Sequence, residues 1–173
     1  MTLAGDRLTL RELTGADLPH LLRVYNAPRT LPHAPHPPIT SARARQILRQ
    51  AQAAARSHPR TDYTLAITLT ATDAVIGLAA LRTGDPAPAG PAAQYGVAIT
   101  PDHWWHGHGS QARNLLQDYA VRTLGAHRVL GAGNTLILLG AAALPADRAI
   151  SDPLYHDGTR ADAPARPCNP AAP

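Results

Sequence analysis

The stretch Ile99–Ala112, I-T-P-D-H-W-W-H-G-H-G-S-Q-A, limits what this chain can fold into more than any other segment. A β-rich run from Ala92 to Ile99 enters it. An amphipathic pattern leaves it, with Ala112, Leu115, Leu116, Tyr119, Ala120 and Leu124 recurring at helical spacing until Gly125. Gly107 and Gly109 stand between the two as G-x-G. A strand that feeds a helix through such a turn leaves the first helical N–H groups unpaired, where the helix dipole also favours negative charge. The turn is therefore expected to seat a phosphate or pyrophosphate.

The flanking sequence supplies the sheet around this turn. Arg7 to Leu13 alternates and reads as a strand, and Thr14 with Asp17 fits a capping box before a helix carrying Leu18, Leu21, Leu22 and Tyr25. Leu31 to Ile39 is a proline-rich loop. Thr40 or Ser41 then caps a second helix with Ala44, Ile47, Leu48, Ala51 and Ala55 on one face. Tyr63, Leu65, Ile67 and Leu69 alternate, Ala71-Thr72-Asp73 turns, and Ala74 to Thr83 returns as the second arm of a hairpin. Residues 85–91 form another proline-rich loop, and His127 to Leu130 reads as a last strand. The order β α α β β β α β predicts an α+β (mixed α/β) domain around a central sheet.

Composition narrows the function classes. The 173 residues suffice for one domain with its own core, and no apolar run approaches the ~18 residues that span a bilayer. With no signal-peptide pattern at the N-terminus, a cytoplasmic protein without membrane contact is expected. The net charge of +4 comes from arginines alone, without a lysine, and they are scattered rather than clustered, which argues against a nucleic-acid partner. Cys168 is the single cysteine, so a disulfide within the chain is excluded. The absence of Phe beside abundant Ala, Pro and Arg fits a GC-rich gene and weakens hydrophobic signals throughout.

The residues Arg7-Leu8-Thr9-Leu10-Arg11, Val75-Ile76-Gly77, Tyr95 to Trp104, Trp105-His106-Gly107-His108-Gly109, Asp118-Tyr119-Ala120 and Leu124 to Val129 together resemble the GNAT superfamily of acyl-CoA-dependent N-acetyltransferases. The likeness is strongest to the branch that acetylates ribosomal-protein N-terminal alanines. It covers Arg7 to Asn134. The family's pyrophosphate loop reads Q/R-x-x-G-x-G/A. Here Trp104 takes the first position, and Gly107 and Gly109 take the glycine positions. The resemblance implies a mostly antiparallel sheet flanked by helices, with acetyl-CoA as co-substrate and a primary amine as acceptor, on a protein N-terminus or a small molecule. It further implies that Val97, Ala98 and Ile99 hold the pantetheine arm through their backbone. Trp104, Trp105, His106, Gly107, His108, Gly109 and Ser110 would surround the pyrophosphate, and Asn134 would contact the cofactor or order a water beside it.

Two departures from the family pattern bear on chemistry. The branch commonly places a Glu just before the glycine that is here Gly96, and this chain has Gln94 in that region. Gln can orient a water but cannot accept a proton near neutral pH. Gln94 and Asn134 are thus the candidate catalytic positions, and the family's Glu base does not carry over onto Gln94. After Asn134 the family continues with N-x-x-S and a later G-F pair, whereas residues 135–152 here read as Ala, Leu and Pro before a family-like Tyr155-His156-Asp157-Gly158 returns. Two compensating frameshifts or simple divergence would each produce this, and the nucleotide sequence decides between them. The domain is expected to span 1–162, followed by an Ala/Pro-rich disordered tail at 163–173.

His103, His106 and His108 form H-x-x-H-x-H, but no carboxylate or cysteine completes a ligand set, and no metal is expected. His33 and His36 fall on the loop that borders the acceptor site in the family, where either could act as base through water or be an incidental loop residue. One tryptophan of the Trp104-Trp105 pair is expected against the sheet and the other near the cofactor. The acceptor amine is expected near Gln94 and Tyr63, in a monomer or homodimer. Two readings follow: an active N-acetyltransferase working by direct attack in a ternary complex, or a catalytically impaired acyl-CoA-binding module on the same fold.

Overall fold

The computed structural model describes residues 1–28, 37–84 and 91–131. In chain order these form β1 (Thr2–Ala4), β2 (Leu8–Glu12), α1 (Leu18–Tyr25), α2 (Ser41–Ala54), β3 (Asp62–Leu69), β4 (Val75–Thr83), β5 (Ala92–Ile99), α3 (His108–Arg122) and β6 (Arg128–Gly131). The strands lie side by side in sequence order in one sheet. Every neighbouring pair is antiparallel except β5 and β6, which run parallel because α3 carries the chain back over the sheet. The expected mixed α/β class with a mostly antiparallel sheet is the one observed. β1 was not expected, and it adds an edge strand through Thr2↔Arg11 to Ala4↔Thr9.

Each face of the sheet is covered. Leu8, Leu10, Leu65, Ile67, Ala93 and Ile99 pack under Ala112, Leu116 and Ala120 of α3. Leu21, Val24, Tyr25, Ile47 and Leu48 of α1 and α2 cover Ala66, Val75 and Leu78 on the reverse side. A bulge keeps β4 in register with both layers: Ile67 pairs Gly77 and Thr68 pairs Val75, so Ile76 is the extra residue. Ile76 therefore joins the α3-side core while its neighbour Val75 faces α1 and α2.

The helix starts follow the side chains that the sequence offers. Asp17 accepts hydrogen bonds from the Thr14 amide at 2.7 Å and the Thr14 hydroxyl at 3.0 Å, ahead of α1. Its carboxylate is nearly fully buried and also receives both terminal nitrogens of Arg11, at 2.9 and 3.1 Å. Burial pushes the Asp17 carboxyl upward, but the hydrogen bonds from Arg11 and Thr14 outweigh it and hold the group below the usual carboxylate range. Thr40, not Ser41, caps α2, its hydroxyl accepting from the Arg43 amide at 3.2 Å. No helix of the described residues is long and apolar enough to cross a membrane. Asn134, residues 29–36 with His33 and His36, Cys168 and the segments 135–152 and 163–173 lie outside the described residues.

Candidate functional site

β5 is the strand on which the site is built. On one side it pairs with β4 from Ala93↔Thr83 to Ile99↔Gly77. On the other it pairs with β6 only from Ala92↔Arg128 to Tyr95↔Gly131. Among the described residues, the far backbone edge of Gly96, Val97, Ala98 and Ile99 therefore has no strand partner. Such an edge offers alternating N–H and C=O groups to an extended ligand. Val97, Ala98 and Ile99, singled out by the sequence, all lie on it.

The chain leaves that edge through a short 3-10 turn, Pro101–His103, and reaches α3 through the glycine turn. Trp104 is half-buried against the α3-side core, and its indole N–H donates to the Ile99 carbonyl at 2.6 Å, so the ring ties the loop to the end of β5. Trp105 is 92% exposed and sits in the left-handed region at φ 66°. Gly107, at φ 74° and ψ 5°, is the N-cap of α3, a conformation that an L side chain adopts only with strain. No side chain caps α3, and the first backbone bond of the helix is from the Gln111 amide to the Gly107 carbonyl at 3.1 Å. The amides of His108, Gly109 and Ser110 are thus left for a ligand. Two left-handed residues followed by a helix start make an anion-binding nest.

Three histidines and Arg7 gather around this nest. His106 and His108 stack at 5.7 Å between ring centroids, and His103 stands edge-on to His108 at 6.2 Å. His106 contacts the Trp104 carbonyl at 2.6 Å. Nδ1 of His108 is buried without a hydrogen-bond partner. Burial first, and then the charges of Arg7, His103 and His106, keep His108 below the ordinary histidine range. Among the described residues no cluster of three His, Cys, Asp or Glu side chains could hold a metal ion.

The opposite face of β5 is different. Gln94 is half-buried and lies on the side of α1 and α2, in one cross-strand row with Arg82 and Asp62. Asp62 is the carboxylate of that row, and Arg82 Nε holds it at 2.7 Å while the Thr61 hydroxyl donates to its second oxygen at 2.8 Å. Glu12 lies on the other face, paired to Leu65 beside Tyr63, and it too is taken, by Arg60 at 2.7 and 3.1 Å and by the N-terminal amine at 3.3 Å. Nothing in the row of Gln94 offers an uncommitted carboxylate. The Asp62–Arg82 pair escaped sequence reading because the partners stand twenty residues apart on facing strands.

Tyr63 does not belong with Gln94, contrary to expectation. It pairs with Leu81 and points into the α3-side core, edge-to-face with Tyr119 at 5.6 Å and under the Arg60 guanidinium at 4.2 Å. Burial, with a smaller part from Tyr119, pushes its phenol up to about 12. Tyr63 is a packing residue of the sheet, on the face away from Gln94.

A family model described as an acetyltransferase (GNAT) domain matches residues 7–133. Among solved structures, an acetyltransferase from Agrobacterium tumefaciens is similar at 26% identity and a TM-score of 0.57, over 72% of this chain and 69% of that one. A candidate ribosomal-protein-serine acetyltransferase from Vibrio cholerae shares the fold at 18% identity and a TM-score of 0.63, over 75% and 71% of the two chains. RimL, a ribosomal alpha-N-protein acetyltransferase, does so at 16% and 0.61, over 76% and 70%. Comparison with curated proteins gives no match. With the family model spanning most of its length, the chain belongs to the GNAT family of acetyltransferases.

Proposed function

We propose that the chain transfers an acetyl group from acetyl-CoA to a primary amine, on a protein N-terminus or a small molecule, within a ternary complex. The observation that carries this reading is the coincidence of the β5 edge at 96–99, without a strand partner among the described residues, with the uncapped start of α3. One takes an extended amide-bearing arm and the other takes a pyrophosphate, and pantetheine joined to pyrophosphate is what acyl-CoA presents. Val97, Ala98 and Ile99 would bind the arm, and Trp104 to Ser110 would surround the phosphates. When bound, acetyl-CoA supplies a thioester carbon that a neutral amine can attack: the C–N bond forms as the C–S bond breaks, and the amine's surplus proton passes to water or to the departing thiolate. A β5 amide aimed at the thioester oxygen would stabilise the charge that develops there.

Gln94 orients a water or the amine rather than accepting the proton, so positioning and the oxyanion contact carry the rate in this reading. Asn134 is proposed as a further contact to the cofactor. Gln94, without a free carboxylate in its row, favours a second reading as well: a GNAT-fold module that binds acyl-CoA and transfers slowly or not at all.

Thermal unfolding with and without acetyl-CoA tests the shared part. Ligand at one hundred times its dissociation constant stabilises by about 2.7 kcal/mol, and no shift at millimolar ligand would sink both readings. Thiol release across a panel of amines then separates enzyme from binder.

A further inference from the structure

The turn between β1 and β2 reaches the glycine nest. It closes through the Gly5 amide, which donates to the Leu8 carbonyl at 2.8 Å. A Cβ on Gly5 would come within 3.2 Å of Leu115 Cδ1 and 3.4 Å of Gln111 Nε2, so the turn lies directly on the first half of α3. Arg7 follows in this turn. Its carbonyl accepts from the Thr70 amide at 3.0 Å, which fixes its backbone against the β3–β4 turn. Its guanidinium then extends over the nest, with Nη2 3.3 Å from where a Cβ on Gly107 would stand.

The setting leaves that guanidinium without a carboxylate partner among the described residues. The loop Trp104–Ser110, W-W-H-G-H-G-S, contains no Arg or Lys. Trp104 brings no cation and has its N–H on the Ile99 carbonyl. Arg7 is exposed and forms no ion pair among the described residues, unlike Arg11, Arg60 and Arg82, which each hold a carboxylate. Beside it, His108 keeps Nδ1 buried without a partner. A guanidinium held over free helix-start amides is a fork for phosphate oxygens.

We infer that Arg7 binds the pyrophosphate of acyl-CoA from outside the glycine loop, the β1–β2 turn having been packed on α3 to place it there. The inference rests on the acyl-CoA reading above and adds a residue and a strand to it. It also gives β1 a purpose: without this edge strand the turn has no anchor on the N-terminal side.

Tryptophan fluorescence reads the site directly, because both tryptophans of the chain lie in the loop. The full chain is titrated with CoA, dephospho-CoA and pantetheine, as wild type, Arg7→Gln and Arg7→Lys. Arg7→Gln is expected to weaken CoA and dephospho-CoA by the same factor, about three- to tenfold for a partly solvated charge on phosphate, with pantetheine unchanged. The loss should shrink as salt rises, and Arg7→Lys should recover most of it. Gly5→Val, which lifts the turn, should mimic Arg7→Gln while Arg7 remains.

Unchanged CoA affinity in Arg7→Gln overturns the assignment. So does a loss seen with CoA but not with dephospho-CoA, which would place Arg7 on the 3′-phosphate instead. An Arg7→Lys protein as weak as Arg7→Gln would reduce Arg7 to a structural part. A wild type that binds neither CoA nor dephospho-CoA fails at the earlier step, rejecting the acyl-CoA reading and this contact with it.

Discussion

The two faces of β5 differ in what they leave unpaired. On the α3 side, backbone amides at His108 to Ser110, the Arg7 guanidinium and a buried histidine nitrogen all lack partners among the described residues. On the α1 and α2 side, the carboxylates of Asp62 and Asp17 are already matched, by Arg82 and Arg11. Unpaired donors invite an anionic ligand. Paired carboxylates hold a scaffold together and do not move protons. Among the described residues, the first face leaves donors free for the co-substrate proposed above, and the row of Gln94 leaves no free carboxylate.

The strongest way to break this contrast is to supply the missing base. Gln94→Glu puts a carboxylate in the row beside Arg82, whose Nε is already held by Asp62, so the new group is not matched as the others are. A positioned general base contributes about 10²–10⁴-fold, so acyl transfer with a responsive amine should rise by up to that factor and acquire a new acidic limb in its pH profile. Unchanged kcat/KM, with the fold and CoA affinity intact, would show that the matched carboxylates are not what limits this chain.

Next in size is Asp17→Ala, which tests whether the second face is scaffold. It removes the partner of Arg11 and the hydrogen-bond acceptor for Thr14, both at a nearly buried site, and should cost about 3 kcal/mol by denaturant unfolding. Because the folded carboxyl is held low, its contribution is present above the unfolded carboxylate range and is lost as pH falls through the lower folded value. The variant should therefore lose part of the wild type's acid sensitivity. A cost under about 0.5 kcal/mol, typical of open surface sites, would contradict a structural role.

Gly107→Val probes the first face. A β-branched residue at φ 74° costs about 1–3 kcal/mol unless the nest relaxes, and a relaxed nest no longer aims its amides at one point. Affinity for acetyl-CoA should fall about tenfold or more. Gly109→Ala is the control: its φ is not positive and an added Cβ meets nothing within 4 Å, so affinity should change by no more than about twofold. Equal losses in the two variants would mean that bulk, not backbone conformation, sets the site.

The same division runs through what the sequence made legible. The strand–turn–helix around Gly107, the Thr40 and Asp17 caps, and β5 from Ala92 to Ile99 are local patterns, readable from periodicity and turn residues. β1 is three residues long and too short to carry a period. Arg7 could not be matched to Gly107, since their meeting depends on how a remote turn packs on α3. The grouping of Tyr63 with Gln94 failed for a related reason. Alternation gives the parity within a strand, but facing residues are set by registers across β3, β4 and β5, including the bulge at Ile76.

The smallest expected effect concerns the histidines, and it couples the nest to pH. His108 is held below the ordinary histidine range in the folded chain, so between that depressed value and the unfolded one near 6.5 the unfolded state binds more protons. Stability should therefore be full above the unfolded value and decline as pH falls through this window. A phosphate beside the ring reverses the sign locally, because it favours the charged imidazolium. Binding then takes up a proton, so CoA affinity should strengthen modestly from pH 8 to pH 6 while the free chain weakens. His108→Gln should flatten both trends, and Arg7→Gln should raise the His108 titration by removing a repelling charge, visible as a shift of its ring resonances. Opposite slopes for the free and bound chain would tie the unpaired donors of the α3 face to one anion. Parallel slopes would mean that His108 titrates without sensing the ligand, and the nest would then bind through its backbone alone.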